Sequence, residues 1–309
     1  MEECPRRRTG YRITVRRLFI LAALAIAVAL ILFGIHAYRY RFVGQNSDLV
    51  RLLPPGDLNV GYADLDLLRR AQLVGLFANV KVAPDKEYSD FIRESGFDYT
   101  RDLDAIVIGT DSSQTFLVGR GRFDWEKLKR FSLSHNGSCD AAGCRVPATT
   151  PGRWVNLITV QPDVLAVAIG QSPAGADNLR PPGRRVQQDI PNAPVWARLS
   201  HAMLANPTTL PLPMRIFAID LQSALSVMIW AQTDRLQLKA GFVNRTTADT
   251  AKQQLEIQTK LLTAALKQSG EKADSASLAG MLTAGNFQVI GNDLNATWPI
   301  RPELLKALQ

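Results

Sequence analysis

The segment AIVIGTDSSQTFLVGRGRFD, residues 105–124, decides the predicted fold, because LSVMIWAQTDRLQLKAGFVN, residues 225–244, repeats its pattern. Each segment has two runs of strand-forming residues on either side of a polar turn, which is the signature of a β-hairpin. Each hairpin is followed by a residue suited to capping a helix, Asp124 in one case and Asn244 in the other. The two segments therefore predict an internal repeat.

The repeat extends outward from these hairpins into two halves, residues 51–180 and 195–309, each read as strand–helix–hairpin–helix–hairpin. A proline-rich connector, residues 181–194, separates them. Gly121 and Gly241 stand at equivalent strand ends. Helices between antiparallel hairpins are typical of an α+β fold. The sequence thus predicts two related α/β halves with mainly antiparallel sheets.

Apolar periodicity predicts the individual elements. The predicted strands are residues 58–63, 104–109, 114–121, 154–161, 164–169, 214–220, 224–231, 235–243, 287–291 and 294–298. The predicted helices are residues 65–80, 88–95, 247–268 and segments starting at Trp125 and Pro302, while residues 195–204 read as a strand running into a helix.

Upstream of the repeat lies an uncharged apolar run, LFILAALAIAVALILFGI, residues 18–35. A helix over residues 18–38 would be roughly 30 Å long, the thickness of a bilayer core. The alternatives are a cleaved signal peptide and a buried core helix. The run is longer than a signal-peptide core and lacks the polar stripe of a core helix. We therefore expect an uncleaved transmembrane helix whose anchoring residues include Leu18, Leu30 and Ile35.

The charges beside this run predict its orientation. Residues 1–17, a basic tail, contain six arginines, whereas Arg39 and Arg41 follow the run at the start of a linker, residues 39–50. The positive-inside rule then puts the N-terminus in the cytoplasm and the bulk of the chain outside the inner membrane, in a single-pass topology. Since the tail supplies half of the net charge of +8, the basic balance gives little support to nucleic-acid binding, and we expect no nucleic-acid partner.

Two cysteines in the predicted exterior part, Cys139 and Cys144, lie close together in the segment SCDAAGC. In an oxidising compartment this spacing favours a local disulfide. Free thiols are one alternative, and a metal site that also uses His135 is another. The spacing is irregular and lacks a second Cys/His pair, so we expect no metal.

One segment resembles an enzyme motif. Ser172 lies in IGQSPAG after a predicted strand, as the serine of a nucleophile elbow does. Pro173 lacks the backbone N–H that an oxyanion hole would use, so helix capping by the serine explains the same residues. His135 and His201 are the histidines left for an exterior site, and Arg120 with Arg122 predicts a solvated strand face. We assign no catalytic, cofactor-binding or metal residues.

The start of the exterior part resembles a loosely defined group of uncharacterised bacterial proteins with one transmembrane span and an extracytoplasmic α+β domain. These proteins open with an LP-x-D turn and a short strand that leads into a helix. The residues that carry the resemblance are Leu53, Pro54, Asp57, Tyr62, Asp64 and Leu68. The resemblance implies a membrane-anchored, extracytoplasmic location and no particular activity.

Two classes of function follow. The first is a non-enzymatic binding or scaffolding protein of the cell envelope, anchored in the lipid bilayer, whose partner is an envelope protein or a lipid. The second is a periplasmic hydrolase-type enzyme with a site that the sequence does not reveal. A cleft in which His135 or His201 lies beside a carboxylate would favour the enzyme.

Overall fold

Antiparallel strands dominate the part of the chain that the structure, a computed structural model, describes. The described residues are 46–73, 86–148, 150–175, 179, 190–206, 218–268 and 278–301. They belong to the second of two compact units, Gln45–Gln309. Among them, no helix has the length and apolar character needed to cross a membrane. The predicted span with Leu18, Leu30 and Ile35 lies outside these residues, as does the predicted helix from Pro302.

Twelve strands are present in the described ranges. They are β1 (Asn59–Asp64), β2 (Leu103–Thr110), β3 (Thr115–Gly121), β4 (Ser138–Cys139), β5 (Gly143–Pro147), β6 (Trp154–Gln161), β7 (Val164–Gly170), β8 (Val195–Ser200), β9 (Ser226–Ala231), β10 (Arg235–Gly241), β11 (Asn286–Ile290) and β12 (Asp293–Pro299). The helices are α1 (Leu65–Arg70), α2 (Lys86–Ser95), α3 (Tyr99–Asp102), α4 (Trp125–Ser134), α5 (His201–Ala205), α6 (Arg245–Gln268) and α7 (Leu278–Thr283), preceded by a 3-10 helix, Asn46–Leu52.

All twelve strands form one sheet in the order β11-β12-β10-β9-β8-β1-β2-β3-β7-β6-β5-β4. Outward from the central β8/β1 pair, the order is β1-β2-β3-β7-β6 on one side and β8-β9-β10-β12-β11 on the other. In chain order, the two series correspond strand for strand. The first half then adds the β4–β5 hairpin beyond β6, and no hairpin in the described part of the second half corresponds to it.

The α+β class with antiparallel pairing is as predicted, but a single sheet runs through the region where separate sheets were expected. β1 and β8 pair antiparallel, from Val60 opposite Arg198 to Ala63 opposite Val195. The pairing satisfies backbone groups that would otherwise be left on two strand edges. The two halves consequently share their hydrogen-bonded framework.

The long helix α6 covers one face of the second half, called here the helix face. The side chain of Asn244 accepts a hydrogen bond from the Thr247 backbone N–H at 2.9 Å, which caps the helix start. Leu255 and Ala251 are buried against the sheet, whereas Leu262 on the same helix is half-buried. The core also includes Val227, Leu238, Ala240, Phe287, Leu294, Ala296 and Trp298.

The opposite face of the sheet is called here the open face, and in the first half it is covered. The 3-10 helix packs across β1, β2 and β3 and buries Leu49 and Leu52, and the adjoining Leu53 and Leu58 are buried as well. Gly109 lies directly beneath Leu53 and Leu58, so a larger side chain there would crowd both leucines. Residues 46–50, which the sequence assigned to a linker, are therefore part of the folded domain.

Two predicted elements differ from the structure. Helix α1 ends at Arg70 instead of continuing to residue 80, because Gln72 has a left-handed backbone (φ 59°). Arg69 also donates hydrogen bonds to the carbonyls of Thr100 and Leu103, which ties the helix end to β2. Residues 218–220 are helical where the sequence predicted a strand from 214 to 220, and residues 214–217 lie outside the described part.

The cysteine segment forms a hairpin. β4 pairs with β5, and Cys139 is directly opposite Cys144. The two residues are joined by a disulfide, as predicted. The metal alternative fails because neither sulfur is available as a thiolate ligand.

Candidate functional site: a groove on the open face

A groove of about 780 Å³ lies on the open face of the second half, on the side away from α6. Its floor comes from β8, β9 and β10, and Pro191 and Asp293 lie at its rim. The floor residues are Trp196, Arg198, Met228, Trp230, Gln237 and Lys239.

Strand register explains why these side chains share one face. Side chains alternate along a strand and residues directly opposite each other point the same way. Trp196 is opposite Trp230, and Trp230 is opposite Gln237. Arg198 is likewise opposite Met228, which is opposite Lys239. The intervening residues, such as Leu199, Val227 and Leu238, point into the core beneath α6.

Trp196 is the buried end of the groove. Its ring stacks on Tyr62 of β1 with ring centroids 5.6 Å apart, and only 3% of the residue is exposed. Within the described part of the chain, its indole N–H has no hydrogen-bond partner. A buried donor without an acceptor is costly.

The groove contains two cationic side chains, of which one forms an ion pair and the other has no described counter-ion. Lys239 Nζ pairs with Asp293 Oδ2 at 2.9 Å. Arg198 is half-buried and makes no ion pair or side-chain hydrogen bond with any residue in the described ranges. Arg198 is adjacent to Met228 and close to Trp230. The groove therefore contains a cation without a described counter-ion beside an apolar, aromatic surface.

A polar cluster adjoins the groove through Tyr62. Its hydroxyl is 3.5 Å from Asp64 Oδ2, and burial together with the Asp64 charge raises the pKa of Tyr62. Arg120 Nε lies 3.4 Å from Asp163 Oδ2, and its side chain is only 13% exposed. The prediction that Arg120 belongs to a solvated strand face is therefore wrong, because the 3-10 helix covers that side of the sheet, whereas Arg122 is exposed as predicted.

Ser172 has the local geometry of a capping residue. Its Oγ accepts a hydrogen bond from the Ala174 backbone N–H at 3.1 Å, and its side chain is exposed. The carbonyl of Ser172 accepts from the Gly175 N–H at 3.1 Å, which closes a turn around Pro173. These contacts match the structural reading of the segment.

The two exterior histidines lie outside the groove. His135 Nδ1 is 2.9 Å from the Phe131 carbonyl and 3.7 Å from Glu94 Oε2, so this histidine does lie beside a carboxylate. The pair is on the surface, with side chains 41% and 35% exposed. His201 Nδ1 lies 2.9 Å from the carbonyl of Ala224. Among the described residues, no three His, Cys, Asp or Glu side chains converge as a metal site.

The groove residues are not predicted by any motif in the sequence. A signal was present in β9, SVMIWA, where apolar residues point to both faces although α6 can cover only one. Such a strand requires either a second cover or a ligand over the other face.

The comparisons with known proteins leave the family open. No family model matches the chain, and no curated protein matches it. Solved structures of TP0453 in crystal forms I and III align at TM-scores of 0.44 and 0.42, each with 12% identity over 84% of this chain and 96% of that one. Crystal form IV aligns at 0.42 with 10% identity. Similarity at this level carries no argument about fold or function.

Proposed function

We propose that this protein is a non-enzymatic binding or scaffolding protein of the cell envelope, whose binding surface is the groove on the open face. The sequence supports its location: the apolar residues 18–38 would span the inner membrane, with the arginine-rich residues 1–17 in the cytoplasm. The observation that carries the binding proposal is the half-buried Arg198 beside Met228 and Trp230.

The groove chemistry suits a ligand with an anionic group next to an apolar one. Arg198 would pair with a carboxylate or phosphate. Trp230 and Met228 would contact the apolar part. Both an anionic lipid and an acidic segment of an envelope protein carry these groups, so the test must separate them.

We also infer that residues 51–180 and 195–309 are two related halves. The corresponding strand orders on the two sides of β8/β1 support this relation, as does the position of β3 and β10 at the aligned segments. The halves differ on the open face: in the first, the 3-10 helix lies over β1–β3, whereas the groove lies over β8–β10. Binding is therefore assigned to the second half.

Site-specific photo-crosslinking in intact cells tests the proposal. A benzophenone amino acid replaces Met228 on the groove floor, and in a control it replaces Arg235, which points to the same face but lies outside the groove and pairs with Asp234. We expect a discrete crosslinked product from position 228 only. Mass spectrometry of that product distinguishes a lipid from a protein.

A charge variant completes the test. Arg198→Gln should reduce the crosslink at position 228 at least fivefold, whereas Arg235→Gln, which removes a paired surface cation, should leave it unchanged. Equal products from positions 228 and 235, or a yield that does not respond to Arg198→Gln, would show that the groove is not the binding surface.

A further inference from the structure

Strand β11 is the last strand at one end of the described sheet. The two-residue turn at Gly291 and Asn292 makes Ile290 and Asp293 the first cross-strand pair, so alternate residues of β11 bond to β12. The backbone N–H and C=O groups of Phe287 and Val289 consequently point away from β12. No residue in the described part of the chain bonds to these groups.

In the first half, the corresponding strand edge pairs with a further antiparallel strand. The strand that corresponds to β11 is β6, and its outer edge is filled by β5 in antiparallel register, from Gly143 opposite Ile158 to Pro147 opposite Trp154. Among the described residues of the second half, no strand occupies that place. β11 also lacks the usual protection of an edge, because its sequence, NFQVI, contains no charge and no proline.

We propose that this edge pairs with the same edge of a second copy of the chain, giving a two-fold symmetric dimer with one continuous antiparallel sheet. The sequence NFQVI is compatible with self-pairing because it brings no like charges together. The far edge of the sheet is a poor alternative partner, since β4 has only two residues and is closed by the Cys139–Cys144 disulfide. The contact therefore closes on itself instead of growing into a fibre.

The pattern of outward groups fixes the register. Phe287 of one copy bonds to Val289 of the other and the reverse, with Gln288 on the symmetry axis opposite its counterpart. The two Gln288 Cβ atoms would then be about 4.5–5.5 Å apart. The two Asn286 Cβ atoms would be about 14 Å apart, because four residues of strand rise separate them.

Cysteine crosslinking of the full chain in native membranes tests this register. In a Cys4→Ser background, Gln288→Cys should give mostly a disulfide-linked dimer on non-reducing gels. Asn286→Cys is the matched control, since both side chains are exposed on the same face of β11. It should remain monomeric.

A backbone variant separates strand pairing from packing. Adding Val289→Pro removes an N–H that has no partner among the described residues, and it should lower the Gln288→Cys crosslink at least tenfold. Val289→Ala keeps the N–H but trims the side chain and should retain the crosslink. Thermal unfolding of both variants verifies that they are folded.

Three results would overturn the proposal. Equal crosslinking from positions 286 and 288 would indicate random collision. A Gln288→Cys product that contains a different protein would assign the edge to that protein, and a crosslink that persists with Val289→Pro would exclude strand pairing. Because the groove lies over β8–β10, its crosslinking result is independent of these outcomes.

Discussion

Replacing Leu255 with alanine tests whether the two halves unfold as one unit. Leu255 is 1% exposed and lies in the core between α6 and β10–β12. No described residue of the first half belongs to that core, but the first half shares backbone hydrogen bonds with the second half through β1 and β8. A cavity beneath α6 should therefore destabilise strands on the far side of the central pair.

The expected magnitude follows from the burial of Leu255. Truncating a fully buried leucine to alanine costs about 2–5 kcal/mol, from lost transfer free energy and the cavity left behind. A loss of about 3 kcal/mol lowers the protection of globally exchanging amides roughly 150-fold. The control is Leu261→Ala on the same helix, where the side chain is 59% exposed, and its effect should stay within about 0.5 kcal/mol.

Native-state hydrogen exchange measures both halves in one experiment. We compare the most protected amides of β2 and β3 with those of β10 and β12, in the wild type and in Leu255→Ala. If the sheet is one cooperative unit, both groups lose protection by the same factor. Unchanged protection in β2 and β3 alongside a large loss in β10 and β12 would refute the reasoning, because it would mean that the β1/β8 pair does not couple the halves.

Three further predictions rest on other features. Cys139→Ser should lower the free energy of unfolding by on the order of 2 kcal/mol, since the closed loop is short, and denaturant unfolding measures this loss. In the non-reduced wild-type protein, mass spectrometry should find no free thiol at Cys144. Hydrogen bonds from Arg101, with a smaller contribution from the Asp98 N–H, lower the pKa of Asp102 from 3.8 to about 2, so this carboxylate stabilises the fold fully above its ordinary pKa. The free energy of unfolding should fall by about 1–2 kcal/mol as the pH is lowered from the ordinary pKa of an aspartate to the pKa of Asp102 in the fold. Denaturant unfolding at several pH values measures this loss, and Asp102→Asn should abolish the pH dependence. A reporter active only in the periplasm, fused after Gln309, should be active, whereas activity of a cytoplasm-only reporter there would contradict the predicted topology.

Local signals predicted much of the fold. Strand β6 begins and ends at the predicted residues, and α4 begins where Asp124 predicted it, with the Asp124 side chain accepting from the Lys127 N–H at 3.1 Å. Alternation and capping depend on neighbouring residues, which the sequence displays directly. The two aligned segments also contain β3 and β10, which hold the same position in the two strand series.

The glycines of the repeat illustrate the limit of pattern matching. At Gly121, a Cβ atom would collide with the backbone carbonyl of Asp102, so this position requires glycine. At the aligned Gly241, a Cβ atom would meet only the Asp293 carboxylate oxygen at 3.5 Å, an ordinary contact. Glycine is thus sterically required at position 121 but not at position 241. Only the three-dimensional structure distinguishes the two positions.

The missed elements depend on partners that are distant in sequence. β5, GCRVP, has weak strand character, and it forms because β6 offers it an edge and Cys144 is joined to Cys139. Helix α1 ends where Arg69 reaches the carbonyl groups of Thr100 and Leu103, about thirty residues later. Neither constraint is visible in a local window of sequence.

The candidate site was hidden for the same reason. Trp196, Met228 and Trp230 read as ordinary core residues, because apolar positions in strands are usually buried on both faces of a covered sheet. What makes them a site is that the 3-10 helix lies over β1, β2 and β3, while the groove remains over β8, β9 and β10. An arginine on a solvated face would be ordinary. Arg198 instead lies beside two tryptophans and has no described counter-ion, so its position favours an anionic ligand. The binding proposal therefore rests on a difference between two similar halves of one sheet, and the crosslinking at position 228 examines that difference directly.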